Sequence, residues 1–214
     1  MLKLEKTEVF GWEASIRGLR NPMNSWDKSD TRFDWERGQI VVGENDLTLM
    51  KRLSKAGSDH AKFLRMINVT CDITAPLYWW KEYDTYKVGT VANSCSTMHK
   101  IHDRDFSFDD FSCECLLHPS RKILNDTIDL MNYYRRLYVA TKDKSYWMQM
   151  IQLLPTSYNQ KRTVQFNYQV LKNIYFSRRN HKLAEWHTLC DWIEKLPYFK
   201  EICDETNESA GNGI

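Results

Sequence analysis

Leu154-Pro155-Thr-Ser-Tyr-Asn-Gln-Lys-Arg-Thr-Val-Gln-Phe-Asn167-Tyr-Gln-Val-Leu-Lys-Asn173-Ile-Tyr-Phe-Ser-Arg178 is the stretch on which the reading of this chain turns. Pro155 closes a helical pattern over residues 146–154, because proline disfavours helical backbone in the residue before it. Beyond Pro155, apolar spacing predicts a further helix over residues 159–177. In such a helix Asn167 and Arg178 return to nearly the same angle at ~100° per residue, with Leu171 and Ile174 between them and Asn173 pointing elsewhere. A carboxamide donates and accepts, and a guanidinium offers a planar fork that matches a phosphate or an ionised ring oxygen. The plainer alternative is that both asparagines cap or solvate a helix surface while Arg178 complements the C-terminal dipole.

Outward from that stretch, residues 183–196 place Leu183, Trp186, Cys190 and Ile193 on one helical side. Upstream, Ser120 opens a long helical pattern through Ile123, Thr127, Leu130, Tyr134 and Leu137. The period changes to two in Ile67-Asn-Val69-Thr-Cys71-Asp-Ile73, the mark of a strand with one buried face. Thr74 is then expected to cap a helix that holds Pro76 in its first turn and runs through Leu77 and Trp80. Asp46 is expected to cap another helix, through Leu47, Met50 and Leu53 to Gly57. Residues 18–45, rich in Gly, Asn, Asp and Pro, predict turns and an ordered loop rather than a regular element. Strands near the front and helices behind predict an α+β class. One domain is expected over residues 1–204, followed by a flexible tail at 205–214 of small polar residues.

With 42% hydrophobic and 27% charged residues among 214, the composition is that of a globular protein. Thirty Lys and Arg against 28 Asp and Glu leave a net charge of +2, which gives no electrostatic reason to expect a nucleic acid polymer or an anionic membrane. Residues 1–8 lack the apolar core of a signal peptide and no apolar run reaches the ~20 residues of a membrane span, so a cytoplasmic location is expected. The six scattered cysteines predict reduced thiols. Cys113, Cys115 and His118 supply three ligands where a structural zinc takes four, so no metal is expected. Cys95 near His99 reads as packing rather than a nucleophile. Asp103, Asp105, Asp109 and Asp110, interrupted by phenylalanines, read as a solvated turn rather than a calcium loop.

The quoted stretch, continued by His181 and Glu185-Trp186, resembles the flavin-dependent thymidylate synthases of the ThyX family. That family's segment begins Leu-Pro, carries two flavin-contacting asparagines six apart, and ends in an arginine five residues later. Asn167, Asn173 and Arg178 keep that spacing. A second segment, Trp79-Trp80-Lys81-Glu82-Tyr83 with Asn93-Ser-Cys-Ser96-Thr-Met98-His99, resembles the family signature in frame. Lys81 stands for its first arginine and Asn93 and Ser96 match. Glu82 and Tyr83 replace its His and second Arg, while Ser94, Met98 and His99 replace Glu, Arg and Tyr. The spacer between the halves is longer than the family's, with Gly89 in the extra turn, and Met150-Ile151-Gln152 stands where the family has another arginine just ahead of Leu154.

The resemblance, over about residues 58–196, implies a ThyX-like fold, a twisted sheet packed with long helices and assembled as a homotetramer. It implies FAD as cofactor, methylenetetrahydrofolate and NADPH as co-substrates, and a pyrimidine deoxynucleotide such as dUMP as the methylated partner. Carried over, Ser96 and Arg178 fall on the substrate, with Arg178 as the catalytic position. Lys81, Asn93, Asn167 and Asn173 fall on the cofactor. Trp79, Trp80 and Tyr83 are candidates for stacking on a ring. Losing two or three arginines removes charge-assisted phosphate contacts of about 1–3 kcal/mol each, and Glu82 adds the wrong sign. Lys87, Lys100, Arg17, Arg20 and Arg162 are the cations that would have to compensate. The same loss leaves open a non-catalytic relative that binds a nucleotide or a protein partner.

Overall fold

The computed structural model describes residues 2–203; the tail expected at 205–214 lies outside them. In chain order the elements are β1 (Lys3–Phe10), α1 (Trp12–Arg20), β2 (Arg32–Asp34), β3 (Gln39–Val41), α2 (Glu44–Lys55), β4 (Asn68–Pro76) and α3 (Leu77–Tyr83). There follow β5 (Val91–Ser94), α4 (Thr97–Lys100), α5 (His118–Thr141), α6 (Lys144–Leu153), β6 (Asn159–Asn167), α7 (Tyr168–Arg178), α8 (Ala184–Ile193) and α9 (Phe199–Cys203). The architecture is α+β. Four strands form a sheet in the order β1-β4-β6-β5, and β2 and β3 form a separate antiparallel hairpin that pairs Arg32 with Val41 and Asp34 with Gln39. No helix among the described residues is long and apolar enough to cross a membrane.

The chain divides into two compact units. The first comprises residues up to 5, 72–85 and 92–164. Its core gathers Ile101, Phe106, Phe111, Leu124, Ile128, Met131 and Met150. The pair α5 and α6 forms a helical hairpin here, with Asp143 capping α6 by accepting from the Ser145 N–H at 2.8 Å. Asp72, buried on β4, is satisfied by the Thr163 hydroxyl at 2.6 Å and by Lys161 Nζ at 3.0 Å.

The second unit comprises residues 6–71, 86–91 and those from 165 onward. Here α1, α2 and α7 pack against the short turn of helix Ala61–Arg65, and α7 packs on α8. Ile16, Met50, Leu64, Leu171, Ile174 and Trp186 fill its interior.

Several elements differ from the sequence expectation. Residues 159–167 are a strand, not the first half of a helix, because Val164, Phe166 and Tyr168 alternate inward and the ladder in the sheet satisfies their backbone. Gly43, not Asp46, is the N-cap of α2, and Asp46 turns inward to meet Arg20. Thr74 lies inside β4, and α3 starts only after Pro76. β4 itself is buried at Cys71, Asp72 and Ile73 in succession, as a strand within the sheet rather than at its edge. The span 18–45 holds the end of α1, two single turns of 3-10 helix and the β2–β3 hairpin.

Candidate functional site

In the second unit, α7 carries Asn167, Asn173 and Arg178. Asn167 is its N-cap, with extended backbone, and its Oδ1 accepts the Val170 N–H at 3.0 Å. The helix therefore begins at Tyr168, and Asn167 and Arg178 stand at its opposite ends, ~16 Å apart along its axis. The Oδ1 of Asn173, exposed at the middle of α7, accepts from Gln169 Nε2 at 3.1 Å. The expected shared polar face is thus corrected: the first asparagine is used as a cap, which satisfies an N–H that the helix start leaves open.

The segment 86–91 reaches both ends of α7. Gly89 sits at φ 76 against the helix start, where an added Cβ would come within 3.0 Å of Asn167 Nδ2 and 3.1 Å of the Val170 side chain. Tyr86 meets the other end. Its hydroxyl accepts from Arg178 Nε at 2.8 Å, and the guanidinium lies 5.5 Å from the Tyr86 ring centre and 4.8 Å from that of Trp186. The Thr90 hydroxyl donates back to the Tyr86 carbonyl, tying the segment on itself. His181 meets Trp186 edge-on at 6.2 Å, so the His and Trp that follow the arginine both gather around it.

In the first unit, Lys81 and Asn93 are exposed, on α3 and β5. Ser96 caps the short α4 by accepting from the His99 N–H at 3.1 Å. No hydrogen bond among the described residues joins these three. Trp79, Trp80 and Tyr83 are buried and pack on one another, with Trp80 Nε1 donating to the Gln160 carbonyl at 2.9 Å, so they serve as core rather than as open platforms.

Three of the cations that would have to compensate for the lost arginines are engaged within the chain. Arg162 lies 4.2 Å over the Trp80 ring, with its Nε on Gln160 and its Nη1 on Asp84 at 2.8 Å. Arg20 is buried against Asp46 at 2.6 Å, and Lys100 pairs with Asp103 at 3.0 Å. Burial alone would push the Asp46 carboxyl up. Donors from Thr31, Ser29 and Arg20 outweigh it and hold the group below its ordinary range. This buried pair escaped the sequence reading because its partners lie 26 residues apart with no local pattern linking them. Among the described residues no three His, Cys, Asp or Glu side chains gather as a metal site would need.

Of the four positions that the resemblance assigns to a cofactor, the two asparagines of α7 have partners within the chain and the other two are exposed. Asn167 spends its acceptor on the helix start and its Nδ2 faces Gly89, Asn173 is held by Gln169, and Lys81 and Asn93 stand exposed without fixed partners.

The fold is similar to that of the ThyX enzymes. Two crystal structures of flavin-dependent thymidylate synthase ThyX from Helicobacter pylori, both with FAD and dUMP, match the chain with TM-scores of 0.68 and 0.69 at 15% identity. The match covers 94% and 95% of this chain and 98% of each of theirs. At that identity the likeness is one of fold. No family model matches the sequence, and no curated protein matches it significantly.

Proposed function

We propose that this chain is a ThyX-fold scaffold that takes an anionic pyrimidine nucleotide at Arg178 without carrying out standard thymidylate synthase turnover. The observation that carries this reading is the segment 86–91, which lies against Asn167 at one end of α7 and holds Arg178 at the other. A guanidinium packed on two rings is orientationally fixed, the condition under which a planar fork recognises an anion well. The dUMP in the structurally similar enzymes supports the ligand class. Ser96 remains the second candidate for substrate contact. Exposed Ile123, Leu130 and Tyr133 along α5 support assembly with further copies, consistent with a tetramer.

A divergent flavin enzyme is the second reading, favoured by near-complete coverage of FAD-bound structures. It requires segment 86–91 to leave Asn167, with Lys81, Asn93, Asn167 and Asn173 then turned to the cofactor. Absorbance scanning of the purified chain with added FAD, then calorimetry with dUMP, separates the two. Nucleotide binding by a colourless protein supports the scaffold; a flavin band with tritium release from labelled deoxyuridylate near ~1 per second overturns it. A stable monomer by light scattering would sink the shared assembly.

A further inference from the structure

Two neighbouring cavities, of about 890 and 400 Å3, share Glu13, Arg17, Phe33 and Ile40 in their linings. The larger lies within the few hundred to ~1,000 Å3 usual for small-molecule sites. Neither is lined by Asn167, Asn173 or Arg178, so the basin is independent of the site described above.

Its walls are rings held in place. Trp12, Phe33, Trp192 and Tyr198 line the larger cavity. Trp12 is buried and meets Tyr198 edge-on at 5.7 Å, and Trp192 Nε1 donates to Thr7 Oγ1 at 3.0 Å. The Tyr198 hydroxyl accepts from the Val42 N–H at 3.1 Å, fixing the ring to the chain just beyond β3. Tyr198 has φ 56, in the left-handed region that bulky side chains avoid, so the fold holds this ring against local preference.

The charges in the basin are unmatched. Arg17 and Lys195 line the larger cavity and Arg32 the smaller, and among the described residues none of the three makes an ion pair. Arg20 also lines the smaller one, but Asp46 answers its charge. Glu13 is the one acid in either lining. Aromatic walls favour a flat ring, and three open cations against one carboxylate favour a negative ligand over a neutral or positive one.

We propose that this basin binds a planar aromatic anion, a ring system bearing a sulfonate, carboxylate or phosphate. The ring stacks among Trp12, Phe33 and Tyr198, and the acid group faces Arg17. The inference does not rest on nucleotide binding at Arg178.

The test is fluorescence titration of the full chain with 1-anilinonaphthalene-8-sulfonate and with its uncharged analogue N-phenyl-1-naphthylamine. Saturable one-site binding of the sulfonate is expected, with the analogue about tenfold weaker. Arg17→Gln and Phe33→Ala, both at exposed positions, should each weaken the sulfonate about five- to tenfold while the circular dichroism stays unchanged. The proposal fails if no saturable binding appears, if the uncharged analogue binds as tightly, or if both folded variants bind like the parent chain.

Discussion

Arg178 donates from Nε to the hydroxyl of Tyr86 at 2.8 Å, across 92 residues of sequence, while its guanidinium rests over the rings of Tyr86 and Trp186. One side chain thus orders segment 86–91, the end of α7 and the start of α8 within the second unit. On the proposed reading, ligand recognition and local stability are coupled at this residue.

Arg178→Lys keeps the charge but loses the plane that lies over two rings. Half-buried cation–aromatic contacts contribute ~0.5–2 kcal/mol each, so Arg178→Ala should lower unfolding free energy by about 1–3 kcal/mol and Arg178→Lys by roughly half as much. Urea denaturation measures both. If an anionic nucleotide binds, Arg178→Lys should also weaken it about 5- to 150-fold by calorimetry. Unchanged affinity in both folded variants would leave the residue as a packing element alone.

Gly89 occupies a backbone region that side chains rarely adopt, and a Cβ there would press on Asn167 and Val170. Gly89→Ala should loosen segment 86–91 and raise amide hydrogen exchange at residues 86–91 and at the start of α7. Exchange equal to that of the parent chain would show that the segment is not seated on Asn167.

The Arg20–Asp46 pair is buried on both sides, at 4% and 0% exposure. Asp46→Asn strands the Arg20 cation and should cost about 3–5 kcal/mol. Because the folded carboxyl is depressed, its contribution is present above the unfolded value near ~4 and is lost as pH falls through the folded value. The parent chain should thus lose stability on acidification below about pH 4, and Asp46→Asn should show less of that loss. Parallel slopes in guanidinium melts from pH 5 to 2 would refute the assignment.

Burial, with Asp191 and Glu194 nearby, pushes the Cys190 thiol up to about 11. Cys95 and Cys115 are exposed, whereas Cys71, Cys190 and Cys203 are buried. Ellman's reagent at pH 8 should modify Cys95 and Cys115 quickly and leave the three buried thiols until denaturant is added. Rapid labelling of Cys190, read by peptide mass spectrometry, would contradict the packing of α8.

The local pattern was enough for α5, α6 and α8, whose apolar positions recur at helical spacing, and for β4, whose run of alternating residues precedes a proline. The same local logic misplaced 159–167, because Val164, Phe166 and Tyr168 satisfy a two-residue period while their neighbours also satisfy a helical one. Pairing within the sheet decided between them. The family spacing of Asn167, Asn173 and Arg178 was visible in the letters, but spacing carries no information about which partner takes each polar group. That Asn167 caps its own helix, that Tyr86 binds Arg178, and that Arg162 and Arg20 are held by Asp84 and Asp46 depends on residues between 3 and 92 positions away. By itself, then, the sequence determined the α+β class and most helical spans, since those follow from periodicity along one chain. Only the tertiary structure decided which charges remain open to a ligand, because that depends on what folding brings within hydrogen-bonding distance.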